Sequence, residues 1–156
     1  MNETAYSALK DILIKEEGNV LHAYQDHLGY WTIGVGRLID QRKGGGISHN
    51  ESMFLLKNDI DDRIVKLYQN LPWAAQLDYP RQIVLLQMLF QLGLQGTLGF
   101  KQTLAAIKDG RYEDAAKGIL NSKMGREDSP ARAAREAEVM RTGIIPGFFD
   151  TGIRRV

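Results

Sequence analysis

Near the N-terminus, Tyr6, Leu9, Ile12 and Leu13 recur at three- and four-residue spacing, which predicts a helix over about residues 4–16 that stops at Gly18. The period then changes. Leu21, Ala23, Trp31, Ile33 and Val35 alternate with polar residues or glycine, and residues 26–29 carry turn chemistry, so a small antiparallel hairpin is expected. Ser48 and Glu51 form a capping box, after which Phe54, Leu56, Ile60, Ile64 and Leu67 run at helical spacing to Asn70, just before Pro72. The stretch from Arg81 to Leu92 is apolar nearly all round, the mark of a helix buried on most sides, with Met88 and Phe90 assigned to the core. Further helices are expected over about 98–108, 112–120 and 130–142, the last with Ser129 as N-cap, Pro130 at its first position and Gly143 as its stop.

These elements predict an α+β, mostly helical chain forming one domain of two lobes. A small antiparallel-sheet lobe (about 20–47) is joined by a long helix (about 49–70) to a larger helical lobe (about 72–156), which also recruits the first helix, with a cleft between the lobes. A chain of 156 residues is long enough to bury a substantial core. It contains no cysteine, so no disulfide framework is available and packing alone must hold the fold. No basic region followed by an apolar run opens the sequence, and the richest apolar stretch, Ile83 to Phe90, is interrupted by Gln87 and falls far short of the roughly 20 residues of a membrane span. A cytosolic site of synthesis and no stable membrane association are therefore expected.

The formal net charge of +1 is unevenly spread: residues 1–100 sum to −2 and residues 101–156 to +3, with Arg126, Arg132, Arg135, Arg141, Arg154 and Arg155 in the basic part. This balance suits an anionic polymer weakly and is too small for a nucleic-acid interface, which needs a basic stripe interleaved with aromatics. His22, His27 and His49 lack the spacing of a zinc hydrolase, Gly34-x-Gly36 is followed by Ile39 where a dinucleotide fingerprint needs glycine, and Gly44 to Gly46 lacks a phosphate-loop lysine. No metal or other cofactor is expected.

The most informative stretch runs from Glu17 to Gly36. Glu17 stands at a helix C-terminus beside Glu16, where the negative end of the macrodipole and a like charge both disfavour ionisation. A general acid that must keep its proton until a leaving oxygen takes it requires that tendency. Asp26 follows nine residues later, at the hairpin turn, and Thr32 six residues beyond that, on the returning strand, where a hydroxyl can hold a water against the carboxylate. Read singly, each has a plain structural explanation: a solvated acid at a helix end, a turn aspartate, a β-forming threonine. Together, two carboxylates and a hydroxyl on separate short elements suggest cleavage of a glycosidic bond.

The run Glu17-Gly18, Asp26, Thr32 and Ile33-Gly34-x-Gly36 resembles the catalytic signature of the bacteriophage T-even-type lysozymes, muramidases of the phage endolysin class. The resemblance extends through Glu51 to Asp61, through Met88 to Gly93 with Gly96, Gly99 and Phe100, and through Ser129 to Arg135 with Arg141 to Gly143, so it covers most of the chain. It implies a lysozyme-like fold in which Glu17 is the general acid, Asp26 the carboxylate that activates or stabilises, and Thr32 the residue that helps place the attacking water. It further implies that Leu38, Phe90, Thr103 and Arg132 bind the saccharide, with Arg132 facing Glu17 and Arg135 reaching towards Glu16. The implied substrate is bacterial peptidoglycan, cleaved at the β-1,4 bond between N-acetylmuramic acid and N-acetylglucosamine. The implied setting is a monomer that accumulates in the host cytoplasm, is released by a separate holin-type protein, and acts on the wall in the periplasm.

Three departures from the family pattern bear on these expectations. Arg37 replaces a histidine common after the second glycine, with Asp59 as its expected partner, so that pair would not titrate near neutrality. The stretch from Arg37 to Ser48 is short, implying a trimmed small lobe. Gly118 stands where an amide would contact sugar and Met124 where an aromatic is common, implying weaker subsites. A lytic transglycosylase using Glu17 alone and a non-catalytic wall-binding module remain the alternatives.

Overall fold

The computed structural model describes residues 3–39 and 45–146, apart from the side chains of Ala5 and Leu9. Part of the short Arg37–Ser48 stretch, including Gly44, and the tail arginines Arg154 and Arg155 lie outside the described residues. The chain divides into two compact units, Met1–Leu56 and Lys57–Val156.

The first unit begins with α1 (Glu3–Glu17) and continues into a three-stranded antiparallel sheet, β1 (Val20–Gln25), β2 (Trp31–Gly34) and β3 (Arg37–Leu38), in that order. Helix α1 and the sheet fall in the same compact unit. The helix ends where expected: Gly18 adopts a left-handed conformation (φ 74°) and its N–H closes the last turn on the Ile14 carbonyl at 2.9 Å. The β1–β2 hairpin has its turn at the predicted residues, with Tyr24 opposite Thr32 and Gln25 opposite Trp31. Strand β3 is an addition to the expected hairpin. Its two residues pair Leu38 with Thr32 and Arg37 with Ile33, a length too short for any alternation to show in sequence.

Helix α2 (His49–Asn70) starts on the predicted capping box and crosses the boundary between the units. The Ser48 N–H donates to Glu51 Oε2 at 2.7 Å, and the Glu51 N–H donates to Ser48 Oγ at 3.2 Å. Glu51 also receives the Arg37 guanidinium, whose Nη1 lies 3.2 Å from Oε2 and whose Nη2 contacts Oε1. Arg37 thus pairs with Glu51, not with the expected Asp59. The reason is local: Arg37 Nη1 also donates to the Gly46 carbonyl at 2.9 Å, which holds the guanidinium over the start of α2, whereas Asp59 pairs with Arg63 one helical turn along.

The second unit holds the buried core. A 3₁₀ turn (Pro72–Gln76) leads to α3 (Tyr79–Leu98), followed by α4 (Lys101–Lys108), α5 (Tyr112–Asn121), a π turn (Met124–Asp128) and α6 (Pro130–Thr142). Val84, Leu85, Met88 and Leu89 of α3 are buried against Ile107, Ile119, Met124, Ala133, Ala137 and Met140, and Leu67 of α2 joins them. Met88 is core as expected; Phe90, 36% exposed, is not, because it lies off the face formed by Leu85, Met88 and Leu89. Gly93, at φ 71° and ψ 177°, breaks the helical backbone, so α3 is two helical segments joined at a kink, the first ending at Leu92 as predicted, and α4 starts at Lys101. Ser129 takes the N-cap position of α6 as predicted, but its hydroxyl makes no cap bond and instead accepts from Gln91 Nε2 at 3.0 Å, tying α6 to α3. At the other end Gly143 (φ 70°) stops the helix as predicted. Arg81 donates to the Met140 carbonyl through Nε at 2.9 Å and to the Arg141 carbonyl through Nη2 at 3.1 Å, satisfying acceptors that a helix C-terminus leaves open. Among the described residues, no single helix is long and apolar enough to cross a membrane.

The Arg37 guanidinium, together with the Ser48 backbone and hydroxyl, lowers the Glu51 carboxyl from 4.5 to about 2. A folded-state value below the unfolded one means that this stabilisation is present above about pH 4.5 and is lost as pH falls towards 2. Glu51→Gln is expected to flatten the acid limb of the thermal stability profile over that window and to leave its shape between pH 6 and 8 unchanged. Circular-dichroism melts across the pH series would check it.

Candidate active site

The predicted acid and its two companions fall in the first unit. Glu17 is the last residue of α1. Gly36, in the β2–β3 turn, lies against it: a Cβ added to Gly36 would stand 2.9 Å from Glu17 Oε2 and 3.3 Å from its carboxyl carbon. Gly36 also has φ 67°, a conformation that side-chain-bearing residues rarely adopt. The second glycine of the Ile-Gly-x-Gly run thus has a backbone conformation that favours glycine and lies directly against the Glu17 carboxylate, so a Cβ there would move that carboxylate.

Asp26 serves the hairpin turn and keeps one oxygen in reserve. Its Oδ1 accepts from the Leu28 N–H at 2.9 Å and from the Tyr30 N–H at 2.8 Å, while its own N–H donates to the Tyr30 carbonyl at 2.9 Å. No described group hydrogen-bonds to Oδ2. The turn-aspartate reading and the catalytic reading are thus compatible, each using a different oxygen. Thr32, in β2, is 3% exposed, and its Oγ donates to the same Tyr30 carbonyl at 3.0 Å. With its proton committed there, the Thr32 hydroxyl presents lone pairs to any water beside it. The Tyr30 backbone therefore links Asp26 to Thr32, a connection that no side-chain motif announces. Leu38, opposite Thr32 across the β2–β3 ladder, is half-buried. Glu17, Asp26, Thr32 and Leu38 are thus all tied to one small sheet.

The other expected substrate-binding residues lie in the second unit. Phe90 on α3 carries the Arg63 guanidinium 4.1 Å from its ring centroid. Arg132 on α6 donates through Nε to Glu136 Oε1 at 2.8 Å and through Nη2 to the Gln87 carbonyl at 3.2 Å, which sets it one turn of α3 from Phe90. Thr103 is buried in α4 and stands apart from these two, facing Gly118 of α5. A Cβ at Gly118 would come within 2.3 Å of Thr103 Oγ, so an amide side chain at that position would require the threonine hydroxyl to move. Both residues line a polar cavity of about 700 Å³ that also takes in Lys101, Arg111, Asn121 and Ser122. Met124 is buried in the core and replaces the expected aromatic with packing. Among the described residues, no group of three or more His, Asp or Glu side chains is arranged to hold a metal ion.

Residues 14–138 match the sequence model of the phage lysozyme family, and the chain belongs to that family. Two relatives from Dictyostelium discoideum, probable T4-type lysozymes 1 and 2, are 28% and 29% identical over 168 residues, each alignment covering 91% of this chain and 98% of the relative. The pre-baseplate central spike protein Gp5 of Enterobacteria phage T4 is 27% identical over 90% of this chain, which spans 29% of Gp5. The protein is accordingly a glycoside hydrolase of the lysozyme type, a muramidase-type peptidoglycan hydrolase with a mostly helical α+β fold.

Gly34 and Gly36 separate backbone strain from the seating of Glu17. Both have positive φ (66° and 67°), but a Cβ at Gly34 meets nothing within 4 Å. Alanine at either position is expected to cost about 1–2 kcal/mol of stability, since the left-handed conformation penalises any Cβ. Only Gly36→Ala is expected to lower kcat as well, by about 100-fold, because it displaces the carboxylate. Turnover of soluble glycan oligomers by the two variants, set beside their urea unfolding curves, is the check, and equal kcat losses in both would contradict this account of Gly36.

Proposed function

We propose that the protein hydrolyses the β-1,4 bond between N-acetylmuramic acid and N-acetylglucosamine in bacterial peptidoglycan, with Glu17 as general acid, Asp26 as general base and Thr32 as the water-positioning residue. The observation that carries this reading is the division of labour at Asp26. Oδ1 is fixed by two turn amides, and Oδ2 is left to take a proton from water while the Thr32 hydroxyl accepts the water's other hydrogen. Glu17, seated over Gly36, donates its proton to the departing glycosidic oxygen. The water attacks the anomeric carbon from the opposite face, so the sugar anomer inverts. This geometry asks for a carboxyl separation of roughly 6.5–9.5 Å in the working complex.

Leu38, Phe90, Thr103 and Arg132 are proposed to bind the glycan. The leucine and the aromatic ring offer apolar faces to sugar rings, the threonine a hydroxyl, and the guanidinium a charge-assisted donor. In this reading the enzyme works as a monomer on the wall during phage-type host-cell lysis and reaches its substrate through a lesion made by a separate holin-type protein.

The glycan ends released from purified peptidoglycan test the reaction type. Wild type is expected to yield reducing muramic acid ends, Glu17→Gln none, and Asp26→Asn at least about 100-fold fewer, the scale of losing a general base. Mass spectrometry of the products reads all three. Anhydro-muramic ends, with Asp26→Asn nearly silent, would instead identify a lytic transglycosylase, and unaltered binding to sacculi without any product would identify a wall-binding module.

A further inference from the structure

Glu136 is the buried charged group for which the proposed reaction has no use. It lies on α6, 1% exposed, in the interior of the second unit. Its Oε1 accepts from Arg132 Nε at 2.8 Å, while Oε2 is buried with no hydrogen-bond partner among the described residues. The same carboxylate borders a cavity of about 360 Å³ lined mainly by Ile83, Gln87, Arg135, Val139 and Ile145. Burial pushes its carboxyl up from the ordinary range, against the pull of Arg132 and Arg135.

Stability does not account for this residue. A buried carboxylate with a single partner and an orphaned oxygen is a poor use of an interior position, and a well-packed apolar side chain there is generally neutral or better. What the carboxylate does achieve is orientation. Arg132 is 36% exposed, and its guanidinium is pinned at two points, Nε on Glu136 and Nη2 on the Gln87 carbonyl. Two anchors on one planar group fix its plane and stop rotation about the last side-chain torsion. No described group hydrogen-bonds to Nη1, which is left as the free donor of a fixed guanidinium.

We propose that Glu136 is a positioning residue: it locks the Arg132 guanidinium so that Nη1 is presented to the bound glycan in one orientation. The proposal rests on the reading of Arg132 as a substrate-binding residue. The ordering cost of the arginine is then met during folding and does not recur when substrate binds, so loss of Glu136 weakens binding.

The test is a double-mutant cycle on a soluble peptidoglycan oligomer, using wild type, Glu136→Leu, Arg132→Ala and the double variant, with Glu136→Gln and Glu136→Met alongside and a thermal melt of each. Glu136→Leu is expected to keep or raise Tm, to raise KM about tenfold, the scale of one charge-assisted hydrogen bond, and to hold kcat within about twofold. Glu136→Gln, which retains an oxygen to accept from Nε, is expected to bring KM back to near the wild-type value. Adding Glu136→Leu to Arg132→Ala is expected to change KM no further, as required of two residues that act as one unit. A raised KM in Arg132→Ala with an unchanged KM in both Glu136→Leu and Glu136→Met would overturn the role of Glu136 while sparing that of Arg132. An unchanged KM in Arg132→Ala would overturn both. If the Leu and Met variants lose stability and their folded fractions keep the wild-type KM, Glu136 is structural and the proposal fails.

Discussion

The arrangement of the first unit depends on the backbone of Tyr30. Its N–H fixes Asp26 Oδ1, and its carbonyl accepts both the Asp26 N–H and the Thr32 hydroxyl. One peptide unit therefore sets the turn, the orientation of a carboxylate and the direction of a hydroxyl proton. Close by, the β2–β3 turn brings Gly36 under Glu17. A sheet this small gains little from apolar burial, and of its residues only Thr32 is buried. Its geometry is held by hydrogen bonds and glycine conformations, which specify direction more sharply than area burial does. That suits an element whose task is to point groups.

The second unit is built on the opposite principle. Its core is a continuous apolar cluster centred on α3, and its polar interior groups are few and specific. Arg81 closes the end of α6 on α3, Gln91 holds Ser129, and Arg132 ties α6 to the Gln87 carbonyl. These three ties place α6 in a single register against α3, and Arg132 is carried on that register. Arg132 thus inherits its position from helix packing, whereas Asp26 and Thr32 inherit theirs from a turn.

Much of this was legible in the sequence because the signals were local. The Ser48–Glu51 capping box, the Gly18 and Gly143 stops and the residue 26–29 turn each depend on a few consecutive residues, and each appears where the pattern placed it. What sequence concealed depends on contacts between elements. The family pattern pairs Arg37 with Asp59, yet the Gly46 carbonyl holds it over Glu51. Ser129 is the N-cap of α6, yet its hydroxyl serves Gln91 and not the helix amides. Phe90 reads as core on a helix apolar nearly all round, but only the face bearing Leu85, Met88 and Leu89 is buried. Gly118 reads as a lost sugar contact until Thr103 is seen filling the space. Glu136 gave no signal, since an acid four residues after an arginine on a helix is ordinarily a surface pair. In the candidate site, the spacing of Glu17, Asp26 and Thr32 and the Gly34-x-Gly36 run were visible, while the Tyr30 peptide that connects Asp26 to Thr32 and the contact of Gly36 with Glu17 were not.

The central claim is that a water held between Asp26 and Thr32 attacks the anomeric carbon from the face opposite Glu17. Proton NMR of a soluble peptidoglycan oligomer, recorded within the first minutes of cleavage and before mutarotation, reads it directly. The account predicts that the new reducing muramic acid end appears first as the α anomer. First appearance of the β anomer would mean a covalent glycosyl intermediate or a different attacking face, and would contradict it.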